Sequence, residues 1–257
     1  MRSAREPAAR QMRTGNDRKG QGSLSESVAR SLGRRIVSGQ YEPGDTLPTE
    51  PQIQEEFGVS RTAVREAIRV LSAKGLTVSR PKIGTRVRPK VDWAMLDPDV
   101  LRWHLEQNPG DDFIHALFEM REIIEPAAAA RAAERATEEE LVILGRAMDG
   151  IQNEPRGSDA QIQADIAFHM ALLEASRNPL LRSVGAMIRS ALEITFTLGW
   201  RTIMGGDAVL QHRAVYDAVR EKDPEEAFLA MRRLLRNSKG NVFDAIWITR
   251  NEGETAS

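Results

Sequence analysis

Cysteine is missing from all 257 residues. Its absence removes disulfides, thiol nucleophiles and thiolate metal sites together, so a metal could be held only by His, Asp, Glu or water. No apolar run reaches the roughly 18 uninterrupted residues of a membrane-crossing helix, because a charge, Gly or Pro breaks every candidate. Residues 1 to 22 carry six Lys/Arg and two acids but no apolar stretch of the kind a secretory signal needs, so the expected compartment is the cytosol. There is no His-Glu-x-x-His and no phosphate-cradling Gly loop, and nothing assigns a nucleophile or general base; an enzyme is not expected. What remains is ordinary water-soluble material, 41% hydrophobic and 28% charged, long enough for two modest domains.

The net charge of -1 hides a division. Residues 1 to 90 hold 18 Lys/Arg and 9 Asp/Glu, while residues 91 to 257 hold 18 and 28. A basic end joined to an acidic end fits a polyanion-binding module attached to a body that does not bind the polyanion, since affinity for a phosphate backbone follows local positive charge. The stretch 1 to 22 lacks periodic apolar residues and is expected to be disordered, either an electrostatic arm or only a leader. It does not account for the asymmetry alone, because residues 23 to 90 still carry 12 basic and 7 acidic residues.

From Leu24 the apolar positions Leu24, Val28, Leu32 and Ile36 recur every four residues, predicting a first helix that ends near Gly39. Tyr41 to Asp45 is turn chemistry with Pro43-Gly44 at its centre. Thr49 then caps a short second helix that buries Ile53 and Phe57. Gly58 stops that helix, and Ser60 caps a third with Val64, Ala67, Ile68 and Leu71 on one side. Two short helices across a Gly turn read as helix-turn-helix. Arg61, Thr62 and Arg65 lie at the start of the third helix and off its apolar stripe, where a recognition helix meets base edges and phosphates. Leu76 to Arg80, a turn at Pro81-Lys82-Ile83-Gly84 and Thr85 to Arg88 predict a basic hairpin, and the whole is a winged helix-turn-helix over residues 23 to 90. Arg34, Arg80, Lys82 and Gly84 complete the expected DNA-contacting set with Ser60, Arg61, Thr62 and Arg65.

These residues resemble the N-terminal domain of the GntR family of bacterial transcriptional regulators: Ile36-Val37-Ser38-Gly39, Pro43 to Glu50, Val59 to Ala67 and Gly84 to Val87. The resemblance implies that Arg61, Thr62 and Arg65 contact operator DNA, with Ser60 as cap and phosphate contact, and that the wing tip from Arg80 to Gly84 enters the minor groove. The family often carries Arg directly after the Glu of its Leu-Pro-x-Glu motif; here Pro51 stands there, which removes one expected contact.

Residues 91 to 108 read as a linker, with Asp97-Pro98 suited to a helix start. Beyond it the chain is Ala-rich and helically patterned, with stops at Asn108-Pro109-Gly110, 153–157, Asn178-Pro179, Gly205-Gly206 and Asp223-Pro224. This predicts an all-helical bundle of six or seven helices over residues 109 to 250, so the fold class is mainly α. The four histidines are His104, His115, His169 and His212. Asp165 and His169 share one helix face, either as two metal ligands or as a surface ion pair. His212 alone would be a polar surface or cavity residue.

Met120 to Pro126, Asp165 to His169, Asn178-Pro179-Leu180, Gln211-His212-Arg213 and Asp223-Pro224 look like the helical effector-binding FCD domain of the FadR-like branch. Runs of period two are few, which is unlike the β-rich branch, and the chain is shorter than the aminotransferase-like domain of a third. Metal-binding FCD members use an Asp and three His, which by resemblance places ligands at Asp165, His169 and His212, with zinc the foremost ion. Leu234 occupies the fourth position. A three-ligand site completed by water or an effector carboxylate, and a metal-free pocket, both stay open. Arg121 matches a residue that faces the effector, its alternative being an i,i+4 pair with Glu125. Members with Leu96 to Trp103 after the wing look like regulators of sugar-acid catabolism, galactonate and gluconate among them. The resulting expectation is a homodimeric repressor released from double-stranded operator DNA by a small carboxylate. Its rivals are a purely structural, dimerising helical domain, and a metal-dependent enzyme built on Asp165, His169 and His212.

Overall fold

The computed structural model describes residues 16–107, 110–197 and 206–255, which fall into two compact units that divide between Gln107 and Asn108. Residues 1–15 of the expected tail, the Asn108-Pro109 stop and Gly205 lie outside the described residues.

In the first unit, helix α1 (Asn16–Val37) begins inside the stretch read from the sequence as tail. Once the turns from Val28 onward are packed, adding further turns toward the N-terminus needs no new nucleus, and no proline intervenes. Val28, Leu32 and Ile36 are buried as their spacing predicts, but Leu24 is 48% exposed because the core starts one turn later. Helix α2 (Glu50–Phe57) starts from a capping box between Thr49 and Gln52 and buries Ile53, while Phe57 packs at the edge of the core. It stops at Gly58, whose φ of 62° is cheap only for glycine. Helix α3 (Arg61–Ala73) starts from Ser60, whose hydroxyl accepts from the Ala63 N–H, and buries Ala63, Val64, Ala67, Ile68 and Leu71.

Strands β1 (Thr77–Arg80) and β2 (Gly84–Val87) pair antiparallel, with Thr77 opposite Val87 and Arg80 opposite Gly84. A contact not foreseen from the sequence braces this hairpin. The segment after the Pro43-Gly44 turn bridges β2 at Thr46 and Arg86, and the Leu47 N–H donates to the Thr85 carbonyl at 2.8 Å.

The stretch expected to be a linker belongs to the first unit. It holds a 3-10 turn (Lys90–Asp92) and helix α4 (Pro98–Leu105), capped by the Asp97 carboxylate. Trp93, Val100 and Trp103 join the core of α1 to α3. Side chains this large and apolar do not stay in water when a neighbouring groove can take them. Trp103 lies against Gly33 of α1 so closely that a Cβ there would sit 2.2 Å from its ring. Lys74, at the end of α3, reaches Asp97 at 2.6 Å and Asp99 at 2.8 Å. Burial would lower the Lys74 pKa, but the two carboxylates outweigh burial and raise it.

The second unit is helical throughout its described residues: α5 (Asp111–Arg135), α6 (Glu138–Asn153), α7 (Asp159–Ala175), α8 (Pro179–Ser183), α9 (Gly185–Thr197), α10 (Gly206–Arg220) and α11 (Pro224–Thr255). Thr137, Ser158 and Asn178 cap α6, α7 and α8 with their side chains. Helix α5 packs along α11 and also meets α7 and α10, and its small residues Ala129, Ala132 and Ala133 enter the core with Phe168, Leu172, Val215 and Met231. No described helix is long and apolar enough to cross a membrane.

Candidate functional site

Two groups of charged residues stand out, one in each unit. In the first, the N-terminal turn of α3 presents Arg61, Thr62 and Arg65 to solvent while the opposite side of the helix is buried. Arg61 and Arg65 are 72% and 67% exposed, and both turn toward one carboxylate, Glu50 at the start of α2, at 3.1 Å and 3.5 Å. The Leu-Pro-Thr-Glu and Ser-Arg-Thr segments of the sequence are thus neighbours in space. Pro51 occupies the first turn of α2, where a missing N–H is tolerated. At the wing tip, Ile83 N–H donates to the Arg80 carbonyl at 3.2 Å, closing a turn with Pro81 second and Lys82 third. Lys82 has a φ of 64° and Gly84 one of 93°, so the tip holds Arg80, Lys82 and Gly84 exposed in a tight, preset loop. Arg34 is elsewhere: it projects from α1 to an ion pair with Glu106 at 3.4 Å, and no described contact brings it to the α3 arginines.

In the second unit, α5, α7 and α10 converge on a buried polar cluster. Helical spacing places Arg121 and Glu125 on one face of α5 and Asp165 and His169 on one face of α7; α10 adds His212. All five residues are no more than 2% exposed. The Arg121 Nε donates to Glu125 Oε1 at 2.6 Å, which is the i,i+4 pairing open from the sequence. Glu125 Oε2 lies against His169 Nδ1. On the other edge of that ring, His169 Nε2 faces Asp165 Oδ2 at 3.9 Å, and His212 Nε2 faces Asp165 Oδ1 at 2.9 Å. The His212 Nδ1 is 2.7 Å from the Ala208 carbonyl oxygen. Phe168 sets its ring edge-on to both imidazoles, with centroids 5.9 Å and 5.2 Å away.

Asp165, His169 and His212 each offer one ligand atom within 4.8 Å of the others, the one such group of three among the described residues. The donors meet without satisfying one another. Neither Asp165 oxygen has an aligned hydrogen bond, nor has His212 Nε2, and the same holds for Glu125 Oε2 and His169 Nδ1. The Ala208 carbonyl accepts from His212 Nδ1, so Nε2 is the ring atom left to face the carboxylate. A carboxylate and two imidazole nitrogens that converge in a buried site can share a proton or hold a cation, and the cluster could coordinate a metal ion. Burial raises the Asp165 pKa, but His212, His169 and Arg121 outweigh it and hold the carboxyl below its ordinary range. Burial also opposes ionisation of Glu125, yet Arg121 and His169 pull it down to about 2. Both acids are therefore carboxylates at neutral pH.

The other two histidines are not part of this cluster. His104 packs near Trp93 in the first unit, where burial and Lys90 push it down to about 4. His115 stacks on Phe243 at 4.1 Å. Leu234 is buried among apolar side chains of the bundle, and a leucine offers no ligand atom. Glu125 is the residue whose importance the sequence understated. It was visible as a partner for Arg121, but nothing in the chain's local pattern joins it to His169 on another helix.

Comparison with known proteins agrees with this architecture. Residues 24–87 match the family model for bacterial regulatory proteins of the gntR family, and residues 116–237 match the FCD domain. The chain is 37% identical over 222 residues to the uncharacterized HTH-type transcriptional regulator YieP of Escherichia coli, covering 84% of this chain and 94% of that one. It is 35% identical over 219 residues to the galactonate operon transcriptional repressor of the same species, with 83% and 94% covered. In fold, it is similar to a solved structure described as Lar, which controls expression of the Listeria monocytogenes agr system, at TM-score 0.59 and 20% identity over 86% of this chain and 97% of that one. The chain belongs to the GntR family of bacterial regulatory proteins: it is a ligand-responsive, DNA-binding transcriptional regulator with an FCD domain.

Proposed function

We propose that this protein is a homodimeric repressor that leaves its operator when a small carboxylate, a sugar acid of the galactonate or gluconate kind, enters the second unit beside Arg121, Asp165, His169 and His212. The observation that carries this reading is the charge balance of the buried cluster, two carboxylates against one guanidinium. With both imidazoles uncharged, that balance repels an anion. A divalent ion held by Asp165, His169 and His212 reverses the sign and supplies an acceptor for a carboxylate in the ligand position that Leu234 leaves vacant in the family pattern. Zinc suits one carboxylate and two imidazoles. The relative that regulates a galactonate operon supports the choice of acid.

On DNA, Arg61, Thr62 and Arg65 read the major groove of one half-site, Ser60 caps α3 and meets a phosphate, and Arg80, Lys82 and Gly84 form the wing tip at the minor groove. In a dimer, the two α3 helices must sit about one duplex turn apart. The effector acts by binding more tightly to a geometry in which that spacing is wrong; equal affinity for both geometries would shift nothing.

Thermal unfolding against a panel of sugar acids, each with a chelator and with added zinc, tests the reading, since a ligand of the native state raises the midpoint. One acid that raises it only with zinc present supports the metal-bridged effector. A rise that survives chelation removes the metal from the effector's binding, and no rise with any acid overturns the effector itself. Arg65→Ala is expected to weaken operator binding by roughly 5- to 150-fold, the range of a lost base contact, with effector binding unchanged. Fluorescence anisotropy on labelled operator measures it, and unchanged affinity would move the reading head off α3.

A further inference from the structure

We infer that Glu125 is the positioning residue of the metal centre, holding His169 in the one tautomer that lets it serve as a ligand; the inference rests on the metal reading above. Three observations carry it. First, the two histidines are arranged alike although they lie on different helices. Each has an oxygen beside Nδ1, the Ala208 carbonyl hydrogen-bonded to His212 and Glu125 Oε2 in close ion-pair contact with His169 though not aligned as a hydrogen bond, and each directs Nε2 at one oxygen of Asp165. An acceptor at Nδ1 keeps the proton there and leaves the Nε2 lone pair for a metal, the arrangement by which a carboxylate or carbonyl behind a histidine orients the ring and makes it a better donor.

Second, Glu125 is itself held. Its other oxygen accepts from Arg121 Nε at 2.6 Å, and both side chains are buried on the face of α5 that meets α7. The chain Arg121, Glu125, His169 runs from one helix into the ligand group on the next, so the imidazole is fixed by a carboxylate that is fixed in turn by a guanidinium. Third, only a carboxylate meets both demands. Glutamine has one acceptor oxygen; if it serves Arg121, the amide NH2 faces His169 Nδ1, the imidazole proton moves to Nε2, and the lone pair is lost to the metal. With Leu234 in the fourth family position, the site has three protein ligands among the described residues and little margin for losing one.

The test uses the full-length protein. Zinc affinity is measured by competition with a chromophoric chelator for the wild type and for Glu125→Gln, and histidine tautomers are read from nitrogen–proton correlation spectra of the zinc-loaded wild type. The expected results are a 10- to 100-fold loss of zinc affinity, by about the amount typical of removing such a supporting contact, and a His169 that carries its proton on Nδ1 and binds zinc through Nε2. Equal affinity in Glu125→Gln, or ligation by His169 through Nδ1, overturns the role given to Glu125 while leaving the metal site standing. A wild type that takes up no zinc overturns the metal reading, and this inference with it. Should Glu125→Gln not fold, the wild-type spectra decide the question alone.

Discussion

The two units handle arginine in opposite ways. On α3, Arg61 and Arg65 share Glu50 in solvent, whereas on α5 Arg121 is buried on Glu125 with the whole pair shielded from water. Exposed pairs contribute little, about 0 to 1 kcal/mol, because water and salt compete for both charges. Two exposed arginines on one partly exposed carboxylate are therefore held loosely in place and, in the proposed reading, pass to DNA phosphates and bases without a large cost. A buried pair is different in kind: the charges cannot regain water, so each must keep its partner. The first arrangement suits a surface that exchanges partners, and the second suits a centre whose geometry must persist.

The largest effect is expected where burial is complete. Glu125→Ala leaves the Arg121 guanidinium without its carboxylate and should cost about 3 to 5 kcal/mol in urea unfolding. A loss under about 1 kcal/mol would mean that Arg121 finds water on its own, and the contrast between the units would collapse. Acid probes the same carboxyl without mutation. Glu125 is held from 4.5 down to about 2, so its contribution is complete above the unfolded value and drains away as pH falls through that window. A chelator-treated protein followed by circular dichroism should lose stability across that range, and the Glu125→Ala variant should lose less.

A smaller effect belongs to the first unit. Gly33→Ala would drive a methyl into the Trp103 ring, and overpacking of this kind costs about 1 to 3 kcal/mol. Calorimetry should find the loss in the transition of the first unit, with tryptophan emission altered; an unperturbed transition would show that α4 rides freely on α1. The smallest change in stability should come from Glu50→Gln, within about 0.5 kcal/mol by thermal or urea unfolding, as exposed pairs allow. A loss above about 1 kcal/mol would make the Glu50 pairs structural and would remove the distinction between the two sets of arginines.

Much of this molecule could be read before any coordinate was known, and the reason is that the informative signals are local. Ser60 before Arg61, Gly58 after Phe57 and the Pro81-Lys82 turn are short-range chemistry, and each appears in the structure at the expected place. The readings that shifted depended on distance. Residues 91 to 108 look like a linker because they are a short stretch between two longer patterned segments, yet Trp93 and Trp103 complete the core of the first of these. Leu24 fits the helical stripe but lies beyond the reach of the packing that buries Val28.

The buried centre divides along the same line. Sequence by itself determined the pairs that one helix can make, Arg121 with Glu125 and Asp165 with His169, because 3.6 residues per turn puts positions four apart on one face. Only the tertiary structure decided that these two faces meet, that His212 on α10 joins them, and that Glu125 turns its second oxygen to His169 rather than to water. Those choices follow from the packing of α5, α7 and α10 against one another. That packing is set by the summed burial of many apolar side chains along three helices, and no short pattern in the chain records it.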